Sequence, residues 1–160
     1  MNLSVLMSIY HKEKAEYFHR TMESIWTNQT LRPDEIILVE DGVLSDHLYS
    51  AINYWKEKIG TKLVSVTLPK NMGLALALNE GLKVAKGNFI ARMDTDDIAV
   101  PDRFEKQVQL MEEDNLDLLG GHIAEFIDNP DEIVSYRRVP TQHADIVAYQ
   151  RMRSAFNHMT

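Results

Sequence analysis

Residues 35–42 read EIILVEDG. Ile36 to Val39 are four consecutive β-branched or leucine positions with no polar alternation, the pattern of a strand covered on both faces. The turn residues Arg32-Pro33-Asp34 lead into it and Asp41-Gly42 breaks it. Upstream, from Glu16, the apolar residues Phe18, Met22, Ile25 and Trp26 fall at helical spacing, which predicts a helix to about Asn28. Ahead of that helix, residues 3–9 (LSVLMSI) form another nearly continuous apolar run of strand length.

Downstream, Ser45 is placed to cap a helix whose Leu48, Ile52, Trp55 and Ile59 share one stripe, and Gly60 stops it. Residues 63–68 (LVSVTL) read as a third strand. After the loop 69–73, Leu74, Leu78, Leu82 and Ala85 mark a helix expected to end at Gly87, followed by a strand from Phe89 to Met93. Strands alternating with helices over short connections predict an α/β fold: a parallel, Rossmann-like sheet with flanking helices, since parallel neighbours need helical crossovers. Pro101 fits a first helical turn, and Phe104, Val108 and Met111 continue a helix to about Asp114. Beyond it the pattern becomes mixed. Apolar stretches at 116–121 and 123–127 flank Gly120-Gly121, a strand is expected within 133–139, and a helix within 144–153.

Composition bounds the function. The 160 residues, 44% apolar and 26% charged, suit a single domain that buries a core without staples. The absence of cysteine excludes zinc ribbons, thiol nucleophiles and iron–sulfur clusters, and leaves a reducing compartment, the cytoplasm, as the default. Seventeen basic against 24 acidic residues give a net charge of −7 with no basic cluster, so nucleic acid is not an expected partner. The N-terminal residues lack the pattern of an export signal, and no apolar run approaches the roughly 18 residues of a membrane span. Neither G-x-S-x-G nor G-x-x-x-x-G-K-[ST] occurs, and the six histidines show no i, i+4 pair. His19 and His47 are expected on helix surfaces.

In open α/β sheets ligands bind beyond the carboxyl ends of the strands, so the residues there matter most. They are Tyr10-His11, Asp41-Gly42, Asn71-Met72-Gly73 and Asp94-Thr95-Asp96-Asp97. Three carboxylates within four residues repel one another, and a hard cation with oxygen ligands is the simplest group that makes such a cluster favourable. Magnesium or manganese, sharing its shell with substrate phosphates, suits one or two carboxylates. The plainer alternative is that Asp97 caps the following helix while Asp94 and Asp96 are solvated turn residues. Asp41-Gly42 alone reads equally as a turn, and Gly73 alone as a loop glycine.

Four segments, LSVLMSIYHKEK, ESIWTNQTLRPDEIILVEDG, NMGLALALNEGL and ARMDTDDIAVPDRFEKQ, together resemble the family 2 glycosyltransferases of GT-A fold, in order and spacing, across residues 3 to about 109. Weaker similarity continues to RSAFNHMT at 153–160. The resemblance implies transfer of a sugar, with inversion, from a nucleotide-diphosphate donor to a glycan or lipid-linked acceptor hydroxyl, as in polysaccharide biosynthesis. Uridine is the implied base, Mn2+ or Mg2+ the implied cofactor, and the cytoplasm, or the inner face of its membrane, the implied location. It places Ser8 and Tyr10 against the nucleotide, Asp41 on the base, Asn71, Gly73 and Asn79 along the nucleoside, and Arg92, Asp94, Thr95 and Asp96 about ribose, diphosphate and metal. Asp96 matches the metal ligand and Asp94 its D-x-D partner.

Ser8 stands where many members have proline, His11 where most have asparagine, and Glu40 where the first acid of an Asp-Asp pair is common. The family places its general base and acceptor-binding elements further along than residue 160. The chain is therefore expected to be the donor-binding part, truncated before the acceptor region and weakly active or inactive alone. If the base lies inside it, Glu125 and Asp128 are the first candidates. Two other readings compete: a non-catalytic nucleotide-sugar-binding module, and an aspartate-based phosphotransfer domain. The second ordinarily carries its motif on the first strand, whereas this one follows the fourth.

Overall fold

A computed structural model describes residues 2–160. The chain divides into two compact units, the first ending at Gln109 and the second spanning Leu110–Thr160.

The first unit is built on a four-stranded parallel sheet in the order β3-β2-β1-β4, formed by β1 (Leu3–Ile9), β2 (Glu35–Asp41), β3 (Leu63–Leu68) and β4 (Phe89–Arg92). Between them run α1 (Ala15–Met22), α2 (Asp46–Ile59) and α3 (Leu74–Leu82), and α4 (Arg103–Glu113) follows β4. Strand alternation divides the core in two. Val5, Met7, Ile9, Ile36 and Leu38 pack with Phe18, Met22, Leu48, Ile52 and Trp55 of α1 and α2. Leu6, Ile37 and Val39 pack with Ala77 of α3. Both faces are thus covered, which is why β1 and β2 are apolar almost throughout.

The local signals act as read at several places. Ser45 caps α2, its hydroxyl accepting from Leu48 N at 3.4 Å, and Gly60 ends that helix at φ 61°. Two expectations are corrected. The face that α3 buries carries Ala77 and Gly81, while Leu74 and Leu82 are exposed. A Cβ at position 81 would lie 2.4 Å from Leu6 Cδ1 and 2.8 Å from Val39 Cγ2, so the sheet approaches too closely for larger residues. The helix also ends five residues before Gly87, which instead lies against Ser4, donating its N–H to the Ser4 hydroxyl at 2.8 Å.

The last turn of the first helical segment opens into a π-helical turn, Glu23–Thr27. This end of the segment anchors the chain that follows β4. Thr21 Oγ1 donates to the Asp97 carbonyl at 2.7 Å, and Ala99 N donates to Ser24 Oγ at 3.1 Å. The buried Gln29 amide donates to the carbonyls of Ser24 and Val100, each at 2.8 Å, and accepts from Phe104 N at 3.3 Å. Gln29 thereby satisfies one of the N–H groups that the start of α4 leaves without an intrahelical partner.

In the second unit, β5 (Ile123–Glu125) and β6 (Ser135–Arg137) pair antiparallel, and α5 (His143–Gln150) follows. Gly120-Gly121 lies where the chain end folds back: a Cβ at 120 would meet Phe156 Cδ1 at 2.8 Å, and Asn157 Nδ2 donates to the Gly121 carbonyl at 2.8 Å.

In an ordinary helix interior, replacing glycine by alanine stabilises by about 1 kcal/mol. Here the sign is reversed: Gly81→Ala is expected to destabilise by about 1–3 kcal/mol through overpacking against Leu6 and Val39, read from urea unfolding midpoints. A stabilised variant would show that the sheet can recede from α3.

Candidate functional site

The strand order reverses beside β1: the chain moves from β1 out to β3 and then returns across α3 to β4 on the other side. Open α/β sheets form their ligand crevice at such a point, beyond the carboxyl ends of the strands. A cleft of about 270 Å³ lies there, lined by Ser8, Tyr10 and Glu13 from the end of β1 and its loop, and by Asp41 from β2. Asn71, Gly73 and Leu74 line it from the start of α3, and Asp94, Thr95 and Asp96 from the loop after β4.

Alternation decides which acid of β2 reaches the cleft. Glu40 points to the α2 face, where Lys56 Nζ lies 3.6 Å from its Oε1. Asp41, one residue on, points to the α3 face, where Oδ1 accepts from Met72 N at 2.7 Å and Oδ2 from Gly73 N at 3.0 Å. The buried carboxylate thus pins the loop ahead of α3. Gly42 completes the junction: at φ 88° its missing Cβ would lie 2.6 Å from Asn71 N. Asp41-Gly42 is a turn and a docking point for a second cleft segment at once.

The loop after β4 carries the charge. Asp94 is ion-paired with Arg92, which also donates to the Met93 carbonyl. Arg103, the first residue of α4, donates from Nη2 to the Arg92 carbonyl at 2.8 Å and from Nε to Gln107 Oε1 at 2.9 Å. Burial, and then the charge of Arg92, bring its guanidinium down to about 10, while Asp97 acts the other way. Burial pushes the Asp97 carboxyl up to about 6, reinforced by Asp96 and Asp94 and opposed by Arg92 and Arg103. Glu13 is likewise raised, by burial first and by Asp96 and Asp94 next. With no lysine or arginine among the lining residues, the cleft is a negative site.

This donor set suits a hard divalent cation. Its groups are carboxylate oxygens, and among the described residues no three His, Cys, Asp or Glu side chains are grouped to hold an ion alone. An ion here would complete its shell with oxygens from a ligand, as magnesium does with phosphates.

The structure brings the expected site residues together except two. Asn79 sits on the exposed side of α3, because only the start of that helix meets the cleft. Arg92 does not line the cleft and meets it through its ion pair with Asp94. Asp97 is six residues ahead of α4 and does not cap it. Glu13 and Leu74 line the cleft without having been singled out, although Glu13 sits three residues past Tyr10 on the same strand-end loop. Of the two acids considered as a base, Glu125 is bound to Ser135 and to Arg137, 2.7 Å away, and these hydrogen bonds hold it below the ordinary carboxylate range. His19 is also corrected: it is half-buried, and its Nδ1 accepts the Trp55 indole N–H at 3.0 Å.

Comparison with known proteins bears on the family and the fold. The sequence model described as Glycosyl transferase family 2 matches residues 4–159. The amylovoran biosynthesis glycosyltransferase AmsE of Erwinia amylovora is 44% identical over 98% of this chain and 57% of its own length. The UDP-Gal:alpha-D-GlcNAc-diphosphoundecaprenol beta-1,3-galactosyltransferase of Escherichia coli is 36% identical over 97% and 55%. The chain therefore spans a little over half the length of these relatives. Among solved structures, S. aureus TarS 1–349 in complex with UDP-GlcNAc superposes with a TM-score of 0.67 at 23% identity, over 88% of this chain and 37% of that one. The mannosyltransferase PcManGT of Pyrobaculum calidifontis, in complex with GDP-Man and Mn2+, gives 0.61 at 22% identity, over 82% and 36%. At these identities the structures speak to the fold, which is of GT-A type.

The raised Asp97 carboxyl has a consequence for the ligand-free chain. Its contribution favours the folded state fully below the unfolded value near 3.8 and is lost as pH rises through about 6. Asp97→Asn is therefore expected to be more stable than the wild type at pH 8, with the advantage vanishing towards pH 4, as measured by denaturant unfolding at both values. An equal effect at both would mean that burial and the neighbouring acids do not raise the Asp97 carboxyl.

Proposed function

Because the chain belongs to glycosyl transferase family 2, we propose that its strand-end cleft binds a nucleotide-diphosphate sugar for metal-dependent, inverting transfer to a hydroxyl of a glycan or lipid-linked acceptor. The observation that carries this reading is the convergence of Asp41, Asn71 and Gly73 with Asp94 and Asp96 on one cleft. A base-side carboxylate and a diphosphate-side carboxylate pair stand on opposite flanks of the end of β1. A uridine donor is supported by the E. coli relative, whose name specifies UDP-galactose, and by the TarS complex with UDP-GlcNAc. A carbohydrate or lipid-linked acceptor is supported by the amylovoran and diphosphoundecaprenol relatives.

In this reading Asp41 serves two ends. A carboxylate offers about four acceptor sites, and Met72 N and Gly73 N use two, leaving capacity for a base N–H. Ser8 and Tyr10 flank the nucleotide from β1, while Asn71 and Gly73 line the nucleoside side. Asp96 and Asp94 would hold the divalent ion, Mn2+ or Mg2+, with Thr95 buried between them and Arg92 against Asp94. Such an ion, when bound, offsets the charge that builds on the departing diphosphate. Transfer with inversion forms the acceptor O–C1 bond as the C1–O bond to the diphosphate breaks, and the acceptor proton passes to a general base. No residue of this chain is assigned as that base. Among the described residues no helix is long and apolar enough to cross a membrane, which is compatible with a cytoplasmic protein at the membrane's inner face.

Calorimetric titration with UDP, GDP and ADP, with and without Mn2+, tests the reading. Asp96→Asn is expected to fold as the wild type does and to lose the Mn2+-dependent part of UDP affinity by tenfold or more. Unchanged Mn2+-dependent affinity would remove the metal assignment. Asp41→Ala is expected to bring the preference for UDP over ADP towards unity, a loss of about 1–3 kcal/mol of discrimination, because the base loses its acceptor. Retention of the full UDP preference would reduce Asp41 to an anchor of the loop before α3.

A further inference from the structure

β4 is short and lies at the edge of its sheet. Its last bond to β1 runs from Met93 N to the Leu6 carbonyl at 3.1 Å. Strand amides point alternately to either side, so the Arg92 carbonyl faces away from β1. No further strand of this sheet pairs with it there. The chain then runs directly into Asp94, Asp96 and Asp97, whose charges push one another apart. A loop in this position would spread unless its base were held.

Arg103 occupies the open side. Its Nη2 donates to the Arg92 carbonyl at 2.8 Å, and its Nη1 lies 3.1 Å from Met93 Sδ. Gln107, one turn along α4, receives Nε at 2.9 Å and aims the fork, while the guanidinium lies 5.3 Å from the centroid of the buried Phe104 ring. The far side of the loop is held by Thr21 on the Asp97 carbonyl. A planar guanidinium with several fixed donors can grip a strand end in one orientation, whereas an ammonium supplies only the charge.

We propose that Arg103 is a positioning residue that, aimed by Gln107, fixes the spacing of Asp94 and Asp96 for a divalent cation and its diphosphate. This rests on the reading of Asp94 and Asp96 as the cation-binding pair. Arg103 acts on the ligand through the Arg92 carbonyl and the Met93 side chain.

The test is the Mn2+ affinity of the chain with UDP present, by electron paramagnetic resonance of free Mn2+, alongside thermal unfolding. Arg103→Lys keeps the charge and removes the fork. It is expected to weaken Mn2+ binding about five- to tenfold in protein that remains folded. Gln107→Ala leaves Arg103 in place but unaimed, and is expected to weaken it two- to fourfold. The double variant should be no weaker than Arg103→Lys alone, since both act through one contact. A role in stability alone would lower the unfolding temperature and leave the Mn2+ affinity unmoved. If Arg103→Lys does not fold, Gln107→Ala carries the test. Wild-type affinity in the variants, with affinity lost in Asp96→Asn, overturns the role of Arg103 and spares the cation site. Wild-type affinity in Asp96→Asn removes the cation site, and the proposal falls with it.

Discussion

The parallel pairing of β1 with β2 on one side and β4 on the other is the constraint on which the first unit depends. Parallel neighbours cannot be joined by hairpins, so every connection becomes a helical crossover and every strand ends at the same edge. Residues as far apart in sequence as Ser8, Asp41 and Asp96 are thereby delivered to one cleft. The same constraint sends α1 and α2 to one face of the sheet and α3 to the other, and so forces β1 and β2 to be apolar in both directions.

A second requirement is that like charges be held together without collapse or dispersal. The loop after β4 places three aspartates within four residues, and Glu13 faces them from the β1 side. Isolated, such a loop would relax outward until its carboxylates were solvated. It is restrained from behind by neutral and cationic groups: Thr21 and Ser24 from the first helical segment, Gln29 just beyond its end, and Arg103 from α4. The buried Gln29 amide, with both donors used and its oxygen accepting from Phe104 N, and the depressed Arg103 guanidinium are the counterpart of that restraint, since burying them is favourable only while each makes its hydrogen bonds.

Close approach is the third element, and it explains the glycines that matter. Gly42 lets the segment at Lys70 and Asn71 lie against the end of β2, where Asp41 then secures Met72 and Gly73. Gly81 lets α3 settle onto Leu6 and Val39. The first closes the cleft on the β2 side, and the second keeps the helix that begins at the cleft flush with the sheet.

Much of this was legible in the order of residues. Runs such as EIILVE have one solution when both faces must be buried, the stripe Leu48-Ile52-Trp55 has one face to hide, and Ser45 and Gly60 are bounded by local hydrogen bonding and local φ. Strand-end positions for Asp41 and Asp94–Asp96 follow from those elements alone, since strand ends are local facts and the side on which ligands bind is common to open parallel sheets. What the sequence left open depended on contacts between distant segments. Leu74 and Leu82 form a better apolar stripe than Ala77 and Gly81, yet the sheet takes the small residues because Leu6 and Val39 leave no room for large ones. Asn79 shares a segment with Gly73 but not its side of the helix, and His19 is tied to Trp55 by a bond that spacing does not show. Gln29 and Arg103 carried no signal because their partners lie in other segments and exist only once the chain has closed around them. The sequence by itself determined the elements, their order and the edge where the acids gather, all set by local periodicity and turn chemistry. Only the tertiary structure decided which faces touch and which side chains hold the acids in place, because those are outcomes of packing.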